Sequence, residues 1–258
     1  MDLSKDALSR EMMDILADQP RRAGAWYKVG QVTVNVLKHV MYHWDMAYHA
    51  PMPPGAKLLI SNHPTTVDPI LMIALVPEQM RILITEVLFK VPVVGASLRK
   101  CKQIRVDRAN GRPALRQAVQ ALENGETLGI FPEGVISPAR GGLEHFHSGA
   151  ARLALESGAP VVPVGIAVQR EKVWRKQSIV DGQPEVGAWY TSGIYAVTVG
   201  EPVVFTGDPE DRARVQQVTA ELADRVLNLS LESAQRLAAL RMRRPVFFVR
   251  WLRLVFNV

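Results

Sequence analysis

KLLISNHPTTVDPILMIAL, running from Lys57 to Leu75, is the stretch on which the reading of this chain turns. Leu58-Leu59-Ile60 is a short apolar run of the kind that forms a buried strand. It gives way to Ser61-Asn62-His63 and a turn through Pro64-Thr65-Thr66. Asp68-Pro69 then opens an apolar helix, Ile70 to Val76, with Asp68 expected as its N-cap and Pro69 at the first helical position. His63 therefore falls at a strand end and Asp68 at a helix mouth, and the loop between them can fold back to join the two side chains. On one continuous helix, five residues at about 100° each would point them well apart. A histidine held by a carboxylate is a general base, because the carboxylate fixes the tautomer and stabilises the imidazolium as it forms. The plain alternative is a helix cap beside a polar residue that ends a strand, and spacing alone does not separate the two readings.

Outward from this stretch, strands and helices alternate. Arg81 to Ile84 reads as a strand, Pro92 to Gly95 as a turn, and Ile104 to Val106 as a strand leading to Asp107-Arg108. Arg112 to Asn124 reads as a helix with Leu115, Ala118, Val119 and Leu122 inward, closed by Asn124-Gly125. Thr127 to Phe131 is a buried strand delivering Pro132-Glu133-Gly134. A helix follows at Ser148 to Glu156, and a strand at Pro160 to Val168. This alternation predicts an α/β single domain, a mixed sheet flanked by helices, with its chemistry at the strand ends. His63, Arg108 and Glu133 each fall at one. Val173 to Gly193 has no clean period and is expected to be irregular. Ala196 to Val199 and Val203 to Phe205 read as strands, and Asp208-Pro209 as the start of a long helix.

The expected organisation is an N-terminal amphipathic helical region over 1–50, a core over 51–208, and a C-terminal helix with a basic, aromatic tail over 209–258. Ser4 to Ala17 reads as one amphipathic helix and Trp26 to Tyr48 as a second. On that second helix His39 and His43 could share a face, but no neighbouring Cys or carboxylate completes a metal site, so no metal is expected. The tail PVFFVRWLRLVFNV, wound as a helix, places Phe247, Phe248, Trp251, Leu252 and Val255 on one side and its arginines on another. It is too short to span a bilayer and suits the interface of an anionic membrane, or else docks on the protein's own core.

Composition narrows the classes. The 258 residues are 48% hydrophobic and 22% charged, ordinary for a globular protein able to bury a sizeable core. The net charge of +6, with a pI near 9.6 and a mean hydropathy of +0.03, suits a polyanionic partner. The basic residues are spread rather than clustered with stacking aromatics, which argues against nucleic acid. A single cysteine, Cys101, excludes an internal disulfide. No run approaches a spanning helix and the N-terminus is too charged for a secretory signal, so a peripheral place on the cytoplasmic face of the cell membrane is expected.

Four blocks in order resemble the glycerolipid acyltransferases of the 1-acylglycerol-3-phosphate acyltransferase type. NHPTTVD is similar to the family's first motif, H-x-x-x-x-D preceded by Asn. LFKVPVVGASLRKCKQIRVDRANG (Leu88 to Gly111) is similar to the second, FPEG (Phe131 to Gly134) to the third, and HSGAARLALESGAPVVPVGI (His147 to Ile166) to the fourth with its preceding helix. The resemblance implies transfer of a fatty acyl group from acyl-CoA or acyl-carrier protein to the hydroxyl of a lysophospholipid, lysophosphatidic acid by default, with no cofactor. It implies His63 and Asp68 as the catalytic pair, Arg108 as the fork for the acceptor phosphate, and Glu133 and Gly134 as shapers of the acceptor pocket, Gly134 by allowing close backbone approach.

The chain departs from the pattern in three places. Val135-Ile136-Ser137 stands where the third motif often reads Thr-Arg-Ser, removing an arginine linked to phosphate. Thr85 stands where a basic residue often precedes Leu-Phe, and Lys102 where glycine is common. Arg140, Lys102 or Arg105 could supply the missing charge. These departures leave open another lyso- or amino-lipid acceptor. A hydrolase in which His63 activates water, and a membrane-binding pseudoenzyme, are the competing classes.

Overall fold

The computed structural model describes residues 24–180 and 183–243. The helix expected over 4–17 and the tail from 245 to 258 lie outside the described residues. In chain order the elements are α1 (Ala25–Met41), β1 (Tyr42–Tyr48), β2 (Lys57–Ser61), α2 (Asp68–Met72) running into a 3-10 turn at Ile73–Leu75, β3 (Met80–Thr85), α3 (Glu86–Lys90), α4 (Pro92–Lys100), β4 (Ile104–Val106), α5 (Arg112–Glu123), β5 (Thr127–Ile130), α6 (Gly149–Ser157), β6 (Val161–Val168), β7 (Trp174–Val180), β8 (Gln183–Trp189), β9 (Gly193–Val199) and α7 (Arg212–Arg243).

β2 is buried at every residue, as a strand covered on both faces must be. It lies inside a seven-stranded sheet of order β1-β9-β6-β2-β5-β3-β4. The pairings from β6 to β4 are parallel, whereas β9 runs antiparallel to β6. The ends of β2, β3, β4, β5 and β6 therefore open on one edge of the sheet. Side chains alternate across it. Leu58, Ile60, Leu128 and Val161 pack against Ala118 and Leu122 of α5, Leu153 of α6 and Leu222 and Val226 of α7. Leu59, Ile82, Val162 and Val164 pack on the opposite face with Val34 of α1, Leu71 and Met72 of α2, and three tyrosines, 42, 190 and 195.

The fold class expected from the sequence is the one found, and the differences in detail have physical causes. The helix from Trp26 stops at Met41. Tyr42 to Tyr48, rich in the aromatics that strands favour, instead pairs in parallel with β9 over its whole length and shields what would otherwise be an open edge. His39 and His43 thus belong to a helix and a strand and share no helical face. Pro92 to Gly95 is the first turn of a helix, where proline's missing N–H costs nothing. The stretch expected to be irregular is a β7–β8 hairpin. Val203 makes only an isolated bridge to Val161. The long helix begins at Arg212, where Asp211 Oδ1 accepts the Ala213 amide at 2.9 Å.

Lys102, in a place where the resembling family favours glycine, has φ +55°. That is the left-handed region, costly to a residue with a Cβ. It precedes β4, at the edge where the parallel strands begin, and so lies away from the edge that carries His63.

Candidate active site

The loop after β2 is held from three directions. The Asn62 side chain imitates a strand, its Nδ2 donating to the Ile166 carbonyl at 2.9 Å and its Oδ1 accepting the Ile166 amide at 2.8 Å. This ties the end of β2 to β6 and turns the next residue outward. The His63 amide donates to Glu133 Oε1 and to Ser137 Oγ, both at 2.9 Å, and the His63 carbonyl accepts the Ser137 amide at 2.8 Å. On the far side of the turn, the Thr66 amide donates to the Ala188 carbonyl at 2.8 Å, which docks β8 on the loop.

His63 and Asp68 meet. His63 Nδ1 lies 3.0 Å from Asp68 Oδ2, and the imidazole stacks on Phe131 with ring centroids 4.4 Å apart. Asp68 is the first residue of α2 rather than its cap, and the residue before it makes no side-chain cap. Its carboxylate is fully buried and accepts from the Thr65 amide at 2.7 Å, Thr65 Oγ1 at 2.5 Å and Tyr195 Oη at 2.8 Å. A carboxylate ringed by donors is an acceptor only, so His63 Nδ1 carries the proton and Nε2 presents its lone pair. Nε2 has no hydrogen-bond partner among the described residues, and the His63 side chain keeps 16% of its surface exposed.

Tyr195 was not foreseen from the sequence. It sits on β9, fully buried, with Trp44 of β1 stacked on it at 5.0 Å. Burial first, and then the Asp68 charge, push its hydroxyl well above its ordinary value. It therefore remains a donor, and it fixes the Asp68 oxygen that does not face the histidine.

Glu133 lies inside the protein rather than on a pocket wall. Besides the His63 amide, it accepts Ser137 Oγ at 2.6 Å and the Glu144 amide at 2.6 Å. Both oxygens are thus occupied in holding the His63 loop against residues 137–144. Burial outweighs these hydrogen bonds and sets its carboxyl above the ordinary value. Gly134 is exposed and has φ +64° in a turn closed onto Phe131. The conformation of that turn, more than room for a ligand, accounts for glycine there.

Arg108 is placed elsewhere. It follows β4, three strands from β2, a lateral offset of roughly 14 Å at the usual strand spacing. The fork expected for an acceptor phosphate is spent on the Glu185 carboxylate of β8. Arg105 is exposed on β4. The Arg140 carbonyl accepts Arg170 Nη1 at 2.5 Å. Thr85 Oγ1 is buried without a partner.

The family model described as Acyltransferase matches residues 48–167. The 1-acyl-sn-glycerol-3-phosphate acyltransferase of Pseudomonas aeruginosa is 31% identical over 111 residues, covering 42% of this chain and 42% of that protein. The protein of the same name from Borreliella burgdorferi is 31% identical over 111 residues, 42% of this chain and 44% of its own. The chain thus matches about two fifths of the length of these curated relatives. The crystal structure of the 1-acyl-sn-glycerophosphate (LPA) acyltransferase from Thermotoga maritima superposes with a TM-score of 0.52 at 26% identity, covering 77% of each chain. His63, Asp68, Arg108, Glu133 and Gly134 fall inside the matched segment, and Tyr195 falls beyond it. Residues 48–167, including the loop that carries His63 and Asp68, thus match the Acyltransferase family model, and the fold is similar to that of the Thermotoga maritima acyltransferase.

Proposed function

We propose that this protein transfers a fatty acyl group from a thioester to the hydroxyl of a lysophospholipid, with lysophosphatidic acid as the acceptor and phosphatidic acid as the product. The observation that carries this reading is His63, oriented by a buried carboxylate through Nδ1 and presenting Nε2 at the open edge of the sheet. Nε2 takes the proton of the acceptor hydroxyl, and the oxygen attacks the thioester carbonyl. The tetrahedral adduct expels the thiolate, which recovers the proton from the imidazolium. Asp68 stabilises the imidazolium, and Tyr195 and Thr65 keep Asp68 in place. No covalent enzyme intermediate is required. Cys101 lies at the end of α4 with its thiol pushed up by burial, the wrong direction for a nucleophile. The donor is acyl-CoA or acyl-carrier protein, and the relatives named above support the acceptor class.

The same reading places the protein at an anionic membrane surface. Val29, Val32, Val36 and Val40 form an exposed apolar stripe on α1, and Val93 stands 82% exposed on α4. Such a face suits the headgroup region of a bilayer. No helix among the described residues is long and apolar enough to cross a membrane.

The test is transfer from labelled acyl-CoA to a panel of lysolipids, wild type beside His63→Ala. The expected result is esterified product from lysophosphatidate with wild type and its loss in the variant. Thioester consumption without ester would make the protein a hydrolase, and vesicle binding without turnover by either form would make it a binding module.

A further inference from the structure

On the flank of His63 away from Arg108 there is a cavity of about 430 Å³ between the β6–β7 connection and α7. Asn62 and Pro64, the chain neighbours of His63, form part of its wall, so its contents would lie against the back of the catalytic loop. Its floor is apolar, with Ile166 and Val168 from β6 and Leu231 and Leu237 from α7. Three arginines, 170, 175 and 241, line it beside a single carboxylate, Glu171.

The charge pairing is unequal. Glu171 is committed to Arg241 at 2.8 Å. Among the described residues Arg170 and Arg175 have no carboxylate partner. Arg175 Nη2 donates to the Ser137 carbonyl at 3.0 Å, and Arg170 Nη1 to the Arg140 carbonyl. A guanidinium has five N–H donors in a flat fork, so most of the capacity of both is unspent. Arg175 is half-buried, and burial lowers its affinity for a proton. A cation taken from water without a counter-charge is costly, and a bound anion removes that cost. At Gly141 (φ +93°) an added Cβ would fall 1.9 Å from Arg170 Nη2, so the guanidinium lies directly on the backbone of this loop. Arg175 arrives from the hairpin at the same loop.

We propose that this cavity binds the phosphate-bearing end of a substrate, an organic phosphate with an apolar or pantetheine-like chain, and that Arg175 and Arg170 grip the phosphate. The inference rests on the acyl-transfer reading, which has two substrates of this chemistry, lysophosphatidate and coenzyme A. The flank with unspent guanidiniums is this one, since the Arg108 fork is held by Glu185. A cavity of this volume fits a small-molecule ligand with room beyond the phosphate.

The experiment uses the full chain and the variants Arg175→Gln, Arg170→Gln and the double, with Lys176→Gln, an exposed hairpin neighbour, as the charge control. The readouts are KM for acyl-CoA and for lysophosphatidate separately, kcat, and calorimetric binding of coenzyme A and of lysophosphatidate. The expected result is a rise of about tenfold in KM and Kd for one of the two, with kcat within about twofold and Lys176→Gln unchanged. The substrate that moves identifies the occupant. Unchanged KM and Kd for both in the folded double variant would overturn the proposal while leaving acyl transfer standing. If wild type transfers nothing, the acyl-transfer reading fails by itself, and calorimetry still decides the cavity. Weaker binding of either probe in the double variant supports it, and equal binding rejects it. Should Arg175→Gln fail to fold, the exposed Arg170→Gln carries the same test.

Discussion

The two ends of β2 carry two buried charge pairs, and they are put to different uses. At the entry, Lys57 Nζ reaches Glu78 Oε1 at 2.6 Å, the Gly55 carbonyl at 2.8 Å and Thr127 Oγ1 at 3.2 Å. All three ammonium donors are spent and the Lys57 side chain is 3% exposed. At the exit, Asp68 is saturated in the same way, yet its histidine partner keeps one nitrogen unused. Burial and hydrogen bonding are alike at the two ends. What distinguishes a clamp from a reaction centre is one atom left over at the sheet edge where parallel strands end and loops open.

The comparison can be broken by removing a member at each end. The largest effect is expected for His63→Ala, a loss of about 10²–10⁴-fold in kcat/KM with the thermal midpoint nearly unchanged, since Asp68 keeps its other donors. Next is Glu78→Gln at the opposite end. It leaves the Lys57 charge uncompensated and should cost about 3 kcal/mol, a fall of about 6–12 °C in Tm, with acyl transfer retained at permissive temperature.

That loss should depend on pH in a definite sense. Burial works to raise the Glu78 carboxyl, but hydrogen bonds from Lys57 and Thr127 outweigh it and hold the group below its ordinary value. The stability it contributes is therefore complete above the unfolded carboxyl's value near 4.3, and it is lost as pH falls through the lower folded value. Thermal scans of wild type and Glu78→Gln should differ at neutral pH and converge at acidic pH.

A smaller effect sharpens the comparison at the exit. Tyr195→Phe removes one donor from Asp68 and touches no substrate, so kcat should fall about tenfold, the worth of one hydrogen bond to a charged group. KM for both substrates should hold, because a general disturbance of the pocket would move KM as well. The smallest is Lys102→Gly, which relieves the left-handed backbone and should stabilise by about 0.5–1 kcal/mol, read as a rise of a few degrees in Tm with activity unchanged.

Much of the exit end was legible in the sequence. An apolar triplet followed by polar residues, a proline turn and Asp-Pro can hardly be arranged except as strand, loop and helix, and that order brings His63 to Asp68. Tyr195 was not legible, because it reaches Asp68 from 127 positions away out of a strand whose pattern says only that it is buried. The hairpin was missed because β7 is exposed at Trp174, Lys176, Gln177, Ser178 and Ile179, so no buried face imposes the alternation on which the reading relies, although Asp181-Gly182 is a dipeptide that favours tight turns. Arg108 illustrates the other limit. Its place after a strand was foreseen, but the carboxylate that takes its fork comes from that same hairpin. Glu133 was noticed for its motif and expected at an acceptor, whereas in the fold it is buried and bonded to the backbone of the His63 loop.

The most direct measurement of the central claim sets His63→Ala beside Glu78→Gln and records, for each, acyl transfer to lysophosphatidate and the thermal midpoint. The account predicts a crossed result, with transfer lost and the midpoint kept in the first, and transfer kept and the midpoint lowered in the second. Transfer at the wild-type rate by a folded His63→Ala protein would contradict it.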